Sequence, residues 1–262
     1  MEQVKIKSYE LLVEENMELK TVIRKLAHEM GNALSILGGS IYYVESRIAE
    51  LNMNFDISDL KNDYTYICNL FKELSIYNQT ENNIRKEITV KEIVNSIEGS
   101  FYKMKGAQDI QFSIIKAGDI LDKKVYGDLV MFRQVFINVL KNAIDAVEEN
   151  EKKKEKKISV KLSSRKITDY EINDNEFIEW DKGEASTFLH IEIIDNGKGI
   201  ADEHMKDIFK PMFTDGKKDG TGLGLAIVRK IIQMNNGKIK AASVQGTGTA
   251  IHIYFPIIEN KN

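Results

Sequence analysis

From Leu26 onward, apolar residues recur at alternating steps of three and four: Leu26, Met30, Ala33, Leu37, Ile41, Val44, Ile48 and Leu51. This spacing predicts one long helix that lays a stripe against a partner. A polar break around Asn52, Asn54 and Asp56 precedes a second stripe, Leu60, Tyr64, Ile67, Phe71 and Leu74, so an antiparallel helical hairpin is expected. Two helices make a thin core. Pairing two hairpins into a four-helix bundle buries both stripes, which predicts a homodimer through this region. Upstream, Leu12, Leu19 and Leu26 lie one heptad apart with Val22 between them and extend the first helix.

After about Arg85 the period changes. Ile110 to Ile115, Ile158 to Leu162, Phe188 to Ile194, Ile239 to Val244 and Ala250 to Phe255 read as strands, and Lys91 to Met104, Asp128 to Glu149 and Leu223 to Asn235 as helices. The expected fold class is α+β: a helical hairpin domain over 1–84, then an α/β sandwich domain over 85–262. The lysine-rich Lys152 to Lys157 and the polar Thr168 to Glu184 are expected to decorate a surface hairpin.

A length of 262 residues suits two domains, and a net charge of -3 gives no reason to invoke nucleic acid as a partner. The single cysteine, Cys68, has no internal disulfide partner and is expected to be a small buried core residue in a reducing compartment. No apolar run reaches the roughly 18–20 residues needed to cross a bilayer. The N-terminus is charged and carries no hydrophobic leader, so no membrane span and a cytoplasmic location are expected.

His28 lies two residues from Leu26 and from Met30, so a helix points it away from the main stripe, held rigidly yet reachable. A lone helical histidine is ordinarily a solvated side chain. Beside it Glu29 can hold one imidazole N–H and fix the tautomer, leaving the other nitrogen nucleophilic near neutral pH. Asn138 and Asn142 are four apart within Asn138-Val139-Leu140-Lys141-Asn142-Ala143, which puts two carboxamides on one helix face. Asp195-Asn196-Gly197-Lys198-Gly199 follows an apolar strand and by itself reads as a turn. In Gly220-Thr221-Gly222-Leu223-Gly224, closely spaced glycines at a helix start let backbone N–H groups approach phosphate oxygens. A dinucleotide-binding loop has different glycine spacing and a strand feeding into it.

In this order the segments resemble the boxes of sensor histidine kinases, over about Leu26 to Ile257. Leu26-Ala27-His28-Glu29-Met30-Gly31-Asn32-Ala33 is similar to the phospho-acceptor box, with Ala33 where proline is usual and Gly31 where a basic residue is common. The resemblance implies an ATP-binding fold shared with gyrase and heat-shock chaperones, autophosphorylation of His28 by ATP, and transfer to a response-regulator aspartate. Asn142 is implied as the Mg²⁺ ligand, and oxygen donors suit that cation. Asp195, an acceptor-only carboxylate, would take the adenine amine, with Gly197 and Gly199 shaping its loop. Gly220, Thr221, Gly222, Leu223 and Gly224 would line the phosphates.

Asn138 stands where water-hydrolysing members place a glutamate base, and a carboxamide cannot take a proton from water. Ile208-Phe209-Lys210-Pro211-Met212-Phe213 resembles the F box, with Thr214 to Asp219 as a lid. Gly246-Thr247-Gly248-Thr249 resembles a closing hairpin, to which no chemistry is assigned. Glu29 and Asn32 form an E-x-x-N pattern similar to the phosphatase signature of one subfamily, with Asn32 orienting water. A relay phosphotransferase, an ATP-driven clamp and a serine kinase on this fold are the rivals. The stimulus, the sensory partner and the particular regulator are not written in the sequence.

Overall fold

The structure is a computed structural model that describes residues 2–78, 85–150, 155–166, 187–214 and 221–259, with the side chains of 2–21, 24, 28 and 77–78 outside the description. The chain divides into two compact units, Met1–Thr80 and Glu81–Asn262.

The first unit consists of α1 (Glu2–Glu50) and α2 (Ser58–Asn78). They run antiparallel. Glu45 pairs with Lys61 at 2.6 Å, and further back along α1 the Leu34 carbonyl accepts from the Tyr64 hydroxyl at 3.0 Å. The Tyr64 hydroxyl lies where a Cβ on Gly38 would stand, so a glycine permits this approach. Asp56 accepts from the Ser58 N–H at 2.8 Å and turns the chain into α2, and this bond holds its carboxyl below the ordinary range.

The helix α1 is unbroken through Gly31 and Ala33, where no proline interrupts the ladder. Within this one chain, Ile41 is the buried apolar residue among the described side chains of α1 and α2, whereas Leu26, Leu37, Leu60 and Leu74 remain exposed. Cys68 is half-buried rather than buried. It stands on one of two helices that form a single layer and leave a side open.

The second unit contains β1 (Lys86–Thr89), α3 (Val90–Phe101), a short 3-10 turn (Ala107–Asp109), β2 (Ile110–Lys116), β3 (Lys124–Gly127) and α4 (Leu129–Glu148). Then follow β4 (Lys156–Lys166), β5 (Thr187–Asp195), α5 (Gly224–Met234), β6 (Lys238–Val244) and β7 (Gly248–Pro256). The main sheet has the order β2-β4-β5-β7-β6, with β2 and β4 parallel and the other neighbours antiparallel. The short β1 and β3 pair as a separate ladder. At four residues each they carry too little alternation to be read from sequence, and the pairing itself makes them strands. Lys156 and Lys157 belong to β4, while 151–154 and 167–186, which hold most of the expected surface decoration, lie outside the described residues.

Alternation on the strands sends Ile158, Val160 and Leu162, Ile191 and Ile193, and Ile251 and Ile253 to one face, all buried. Helices α3, α4 and α5 bring Ile93, Ile97, Phe132, Phe136, Leu140, Ile227 and Ile231 to the same core. Phe132 packs against Phe255 of β7 with ring centroids 4.4 Å apart and the rings tilted by 30°. Thr89 and Glu92 form a reciprocal capping box that starts α3.

The opposite face of the sheet is polar. Lys161 meets Glu192 at 3.4 Å across β4 and β5, and His190 Nε2 lies 3.1 Å from His252 Nδ1. Burial and the neighbouring His252 push the His190 imidazole down to about 4. No helix among the described residues is long and apolar enough to cross a membrane.

Candidate functional site

Asp195 is the last residue of β5 and is buried. Its Oδ1 accepts from the Gly197 N–H at 2.8 Å and from the Thr249 N–H at 3.2 Å. Both bonds go to one oxygen, so Oδ2 keeps its acceptor capacity among the described residues. Burial pushes the carboxyl up to about 6 from an ordinary 3.8, and the two amides oppose that rise. A carboxylate that costs this much to bury, with one oxygen unclaimed, suits a ligand N–H donor such as an adenine amine.

The loop after Asp195 is clasped from both sides. The Lys198 N–H donates to the Ala146 carbonyl in the last turn of α4 at 2.9 Å, using a carbonyl that the helix end leaves open. Gly197 lies so close to α4 that a Cβ would fall 2.6 Å from the Ala146 carbonyl carbon. Gly199 has φ +68, and a Cβ there would strike the Val244 carbonyl, so glycine is required by conformation and by space. On that side the Gly246 N–H donates to the Lys198 carbonyl at 2.6 Å, and Ser243 Oγ accepts from the Ile200 N–H at 2.8 Å.

Asn138, Asn142 and Ala146 are each four apart, so they stack on one face of α4. The two ends of this stack are occupied. Asn138 is buried, donates to the Gly224 carbonyl at 3.0 Å and accepts from Gln134 Nε2 at 3.0 Å. Its carboxamide therefore ties α4 to the first residue of α5. Ala146 meets the Asp195 loop. Between them Asn142 is half-buried, and among the described residues its carboxamide has no hydrogen-bond partner. An oxygen donor held on a helix and left unclaimed fits Mg²⁺, which takes few protein ligands.

At the start of α5, Thr221 Oγ1 accepts from the Leu223 N–H at 3.1 Å, and Leu223 is buried with αR backbone angles. Gly222 has φ +67, and a Cβ there would collide with the Met212 backbone. The Gly222 and Met212 backbones therefore touch, bringing together the segments that flank the expected lid. Gly220 and the lid residues 215–219 lie outside the described residues. Glu29 and Asn32 are exposed on α1, which also carries His28, whose side chain is outside the description.

Sequence reasoning passed over three side chains that hold this site. Asn196 accepts from the Lys157 N–H at 2.8 Å and donates to the Glu155 carbonyl at 2.7 Å, fixing the loop to the start of β4. Ser243 joins β6 to the Gly248 carbonyl and Thr249. Asn150, just beyond α4, donates to the Gly197 carbonyl at 2.8 Å. The backbone groups of Lys157, Ile200 and Gly197 that Asn196, Ser243 and Asn150 hold lie 39, 43 and 47 residues away, a relation with no local signal.

The sequence model of the family described as histidine kinase-, DNA gyrase B- and HSP90-like ATPase matches residues 127–259, and the chain belongs to this family of ATP-binding domains. The sensory histidine kinase/phosphatase NtrB of Rhodobacter capsulatus is 29% identical over 233 residues, covering 88% of this chain and 60% of that protein. Sensor histidine kinase ZraS of Salmonella typhimurium is 27% identical over 237 residues, covering 90% of this chain and 45% of that protein. The chain thus spans about half to three-fifths of these relatives' lengths. Full-length ShkA, solved in complex with AMPPNP, shares the fold with a TM-score of 0.57 at 15% identity, over 78% of this chain and 38% of that one.

Proposed function

We propose that this chain is the core of a homodimeric, cytoplasmic histidine kinase of two-component signalling. Residues 1–84 are the dimerisation and phospho-acceptor domain and 85–262 the catalytic domain. The observation that carries the reading is the unclaimed pair on one built site: Asp195 Oδ2 at a strand end and the Asn142 carboxamide on the helix that clasps the same loop. The first selects an adenine amine, the second an oxygen-seeking cation.

Asn142 would hold Mg²⁺, which would supply neutralisation of phosphate charge, and the α5 N-terminus with Thr221, Gly222 and Gly224 adds backbone donors. The unprotonated imidazole nitrogen of His28 attacks the γ-phosphorus, the bond to the bridging oxygen breaks, and ADP leaves. Glu29 holds the other ring N–H and stabilises the charge that develops on it. Asn138, a carboxamide engaged with Gly224 and Gln134, offers no base to activate water, which favours phosphorylation over hydrolysis. The phosphoryl group then passes to an aspartate of a response regulator. Asn32, exposed one helical turn from Glu29, is proposed to orient water when the phospho-regulator is dephosphorylated.

Incubation with γ-labelled ATP tests the reading. The expected product is acid-labile label on the protein, transferable to a receiver domain. Acid-stable label, or ATP consumed with no labelled protein, would instead favour a serine kinase or an ATP-driven clamp.

A further inference from the structure

The C-terminal end of α4 does more than terminate a helix. Asn150 is buried, two residues past the last helical residue Glu148, and its Nδ2 donates to the Gly197 carbonyl at 2.8 Å and the Asn196 carbonyl at 3.3 Å. The peptide on the other side of Gly197 is the one whose N–H reaches Asp195 Oδ1 at 2.8 Å. A single residue therefore lies between the Asn150 carboxamide and the carboxylate, and its two backbone groups are held at opposite ends.

We propose that Asn150 is a positioning residue of the adenine site, locking the Asp195 loop onto the helix that carries Asn142. This rests on the reading of the domain as an adenine-nucleotide site. Three other contacts share the clasp. The Lys198 N–H to Ala146 bond holds the far end of the same planar peptide whose Gly197 carbonyl Asn150 takes, the Lys198–Glu149 ion pair at 2.8 Å acts through a side chain, and the close approach of Gly197 to Ala146 sets a distance. Asn150 adds a donor to the Asn196 carbonyl at 3.3 Å, on the peptide whose N–H reaches Asp195, so one carboxamide ties that peptide to its neighbour and a rotation of it would carry the N–H off Asp195. The ordering of the loop is then already spent before nucleotide arrives, so less of the binding free energy is lost to it. Because α4 also bears Asn142, the proposed adenine and cation ligands are held to one helix.

The chemistry gives this role a signature that general stabilisation lacks. The causes acting on the Asp195 carboxyl are burial, which raises it, and the Gly197 and Thr249 amides, which lower it. The charged groups of the clasp, Glu149 and Lys198, pair with each other. Releasing the Gly197 N–H removes one of the two lowering contacts, so the carboxylate becomes harder to ionise and adenine loses its acceptor at a higher pH.

The test uses the full chain with Asn150→Ala and, to keep a small hydrated polar group if the alanine variant melts, Asn150→Ser. Binding of ADP without metal is followed by calorimetry from pH 5 to 8, alongside thermal unfolding without ligand. Both variants are expected to bind ADP about tenfold more weakly at pH 7, the scale of a lost buried hydrogen bond. The pH midpoint of binding should move upward relative to wild type measured with the same nucleotide, which cancels the titration of the phosphates. Affinity within twofold of wild type in the folded variants overturns the proposal, and so does a loss of affinity with an unmoved midpoint. Absence of ADP binding by the wild-type chain would instead overturn the adenine-site reading on which it rests.

Discussion

The stripe on α1 and the inner face of α4 use the same kinds of residue at the same helical spacing, yet Leu37 is 44% exposed while Phe136 and Leu140 are 0% exposed. The difference lies in what each helix meets. Helix α4 lies over a five-stranded sheet with α3 and α5 beside it, whereas within one chain α1 meets α2 and has an open side. Amphipathic patterning states that a face needs cover and leaves open what supplies it. The second unit supplies its own cover. For the first, a second copy of the same stripe is the cover that the proposed bundle provides.

The comparison also divides the proposed chemistry: the proposed acceptor His28 is on the unit with the open stripe, the proposed nucleotide ligands on the unit with the closed core. The largest expected effect tests that division. His28→Ala should reduce labelling by γ-labelled ATP at least about a thousandfold, because it removes the proposed acceptor nitrogen, while ADP affinity stays within about twofold. A filter-retention assay with parallel calorimetry reads both quantities, and residual labelling at the wild-type rate would remove His28 as acceptor.

Next in size is the closed core. Phe136→Ala should lower unfolding stability by about 3–5 kcal/mol, measured by denaturant titration, because the cavity opens where the side chain is fully covered. A loss below about 1 kcal/mol would mean the core repacks freely and the contrast with the helical unit is overstated. On the open stripe, Leu37→Ala should mainly weaken self-association, raising the dimer dissociation constant about tenfold in sedimentation experiments. An unchanged dissociation constant would place the dimer interface elsewhere.

A subtler effect concerns Asp195. Its folded-state carboxyl is pushed up to about 6 from 3.8, so the native chain holds more protons than the unfolded one between these values. By itself the group contributes stability that is present below pH 3.8 and is lost as pH rises through about 6. Adenine recognition runs the other way, since it requires the carboxylate. ADP affinity should fall by up to about tenfold per pH unit below pH 6, and the difference from Asp195→Asn, which cannot titrate, isolates this group. Parallel pH profiles for the two proteins would show that Asp195 does not face the base.

The smallest change is expected on the open helix. Asn32→Ala should leave His28 labelling intact and slow dephosphorylation of a phospho-regulator about tenfold or less, as expected for loss of one water-orienting contact. Equal rates would leave Asn32 without that role.

Local chemistry was enough to mark most of the chain's elements and the motifs of its candidate site. Alternation and helical periodicity located α1 to α5 and the five strands of the main sheet, because burial of one face imposes a period on the residues themselves. Asp195, Asn142 and the glycines of both loops were legible because each belongs to a short motif whose members are sequence neighbours.

Other features depend on partners far along the chain. The strands β1 and β3 exist through pairing with each other across 37 residues, as in the Lys124–Glu87 bond. Whether a carboxamide is spent or available could not be read from Asn138 and Asn142, which share residue type, helix and face. Packing of α5 claims the first at Gly224 and leaves the second open. Nor could the covalent order reveal that Asn150 holds the Gly197 carbonyl. A sequence records a side chain's capacity for hydrogen bonds, and only the fold, by bringing distant backbone within about 3 Å, decides where that capacity is used.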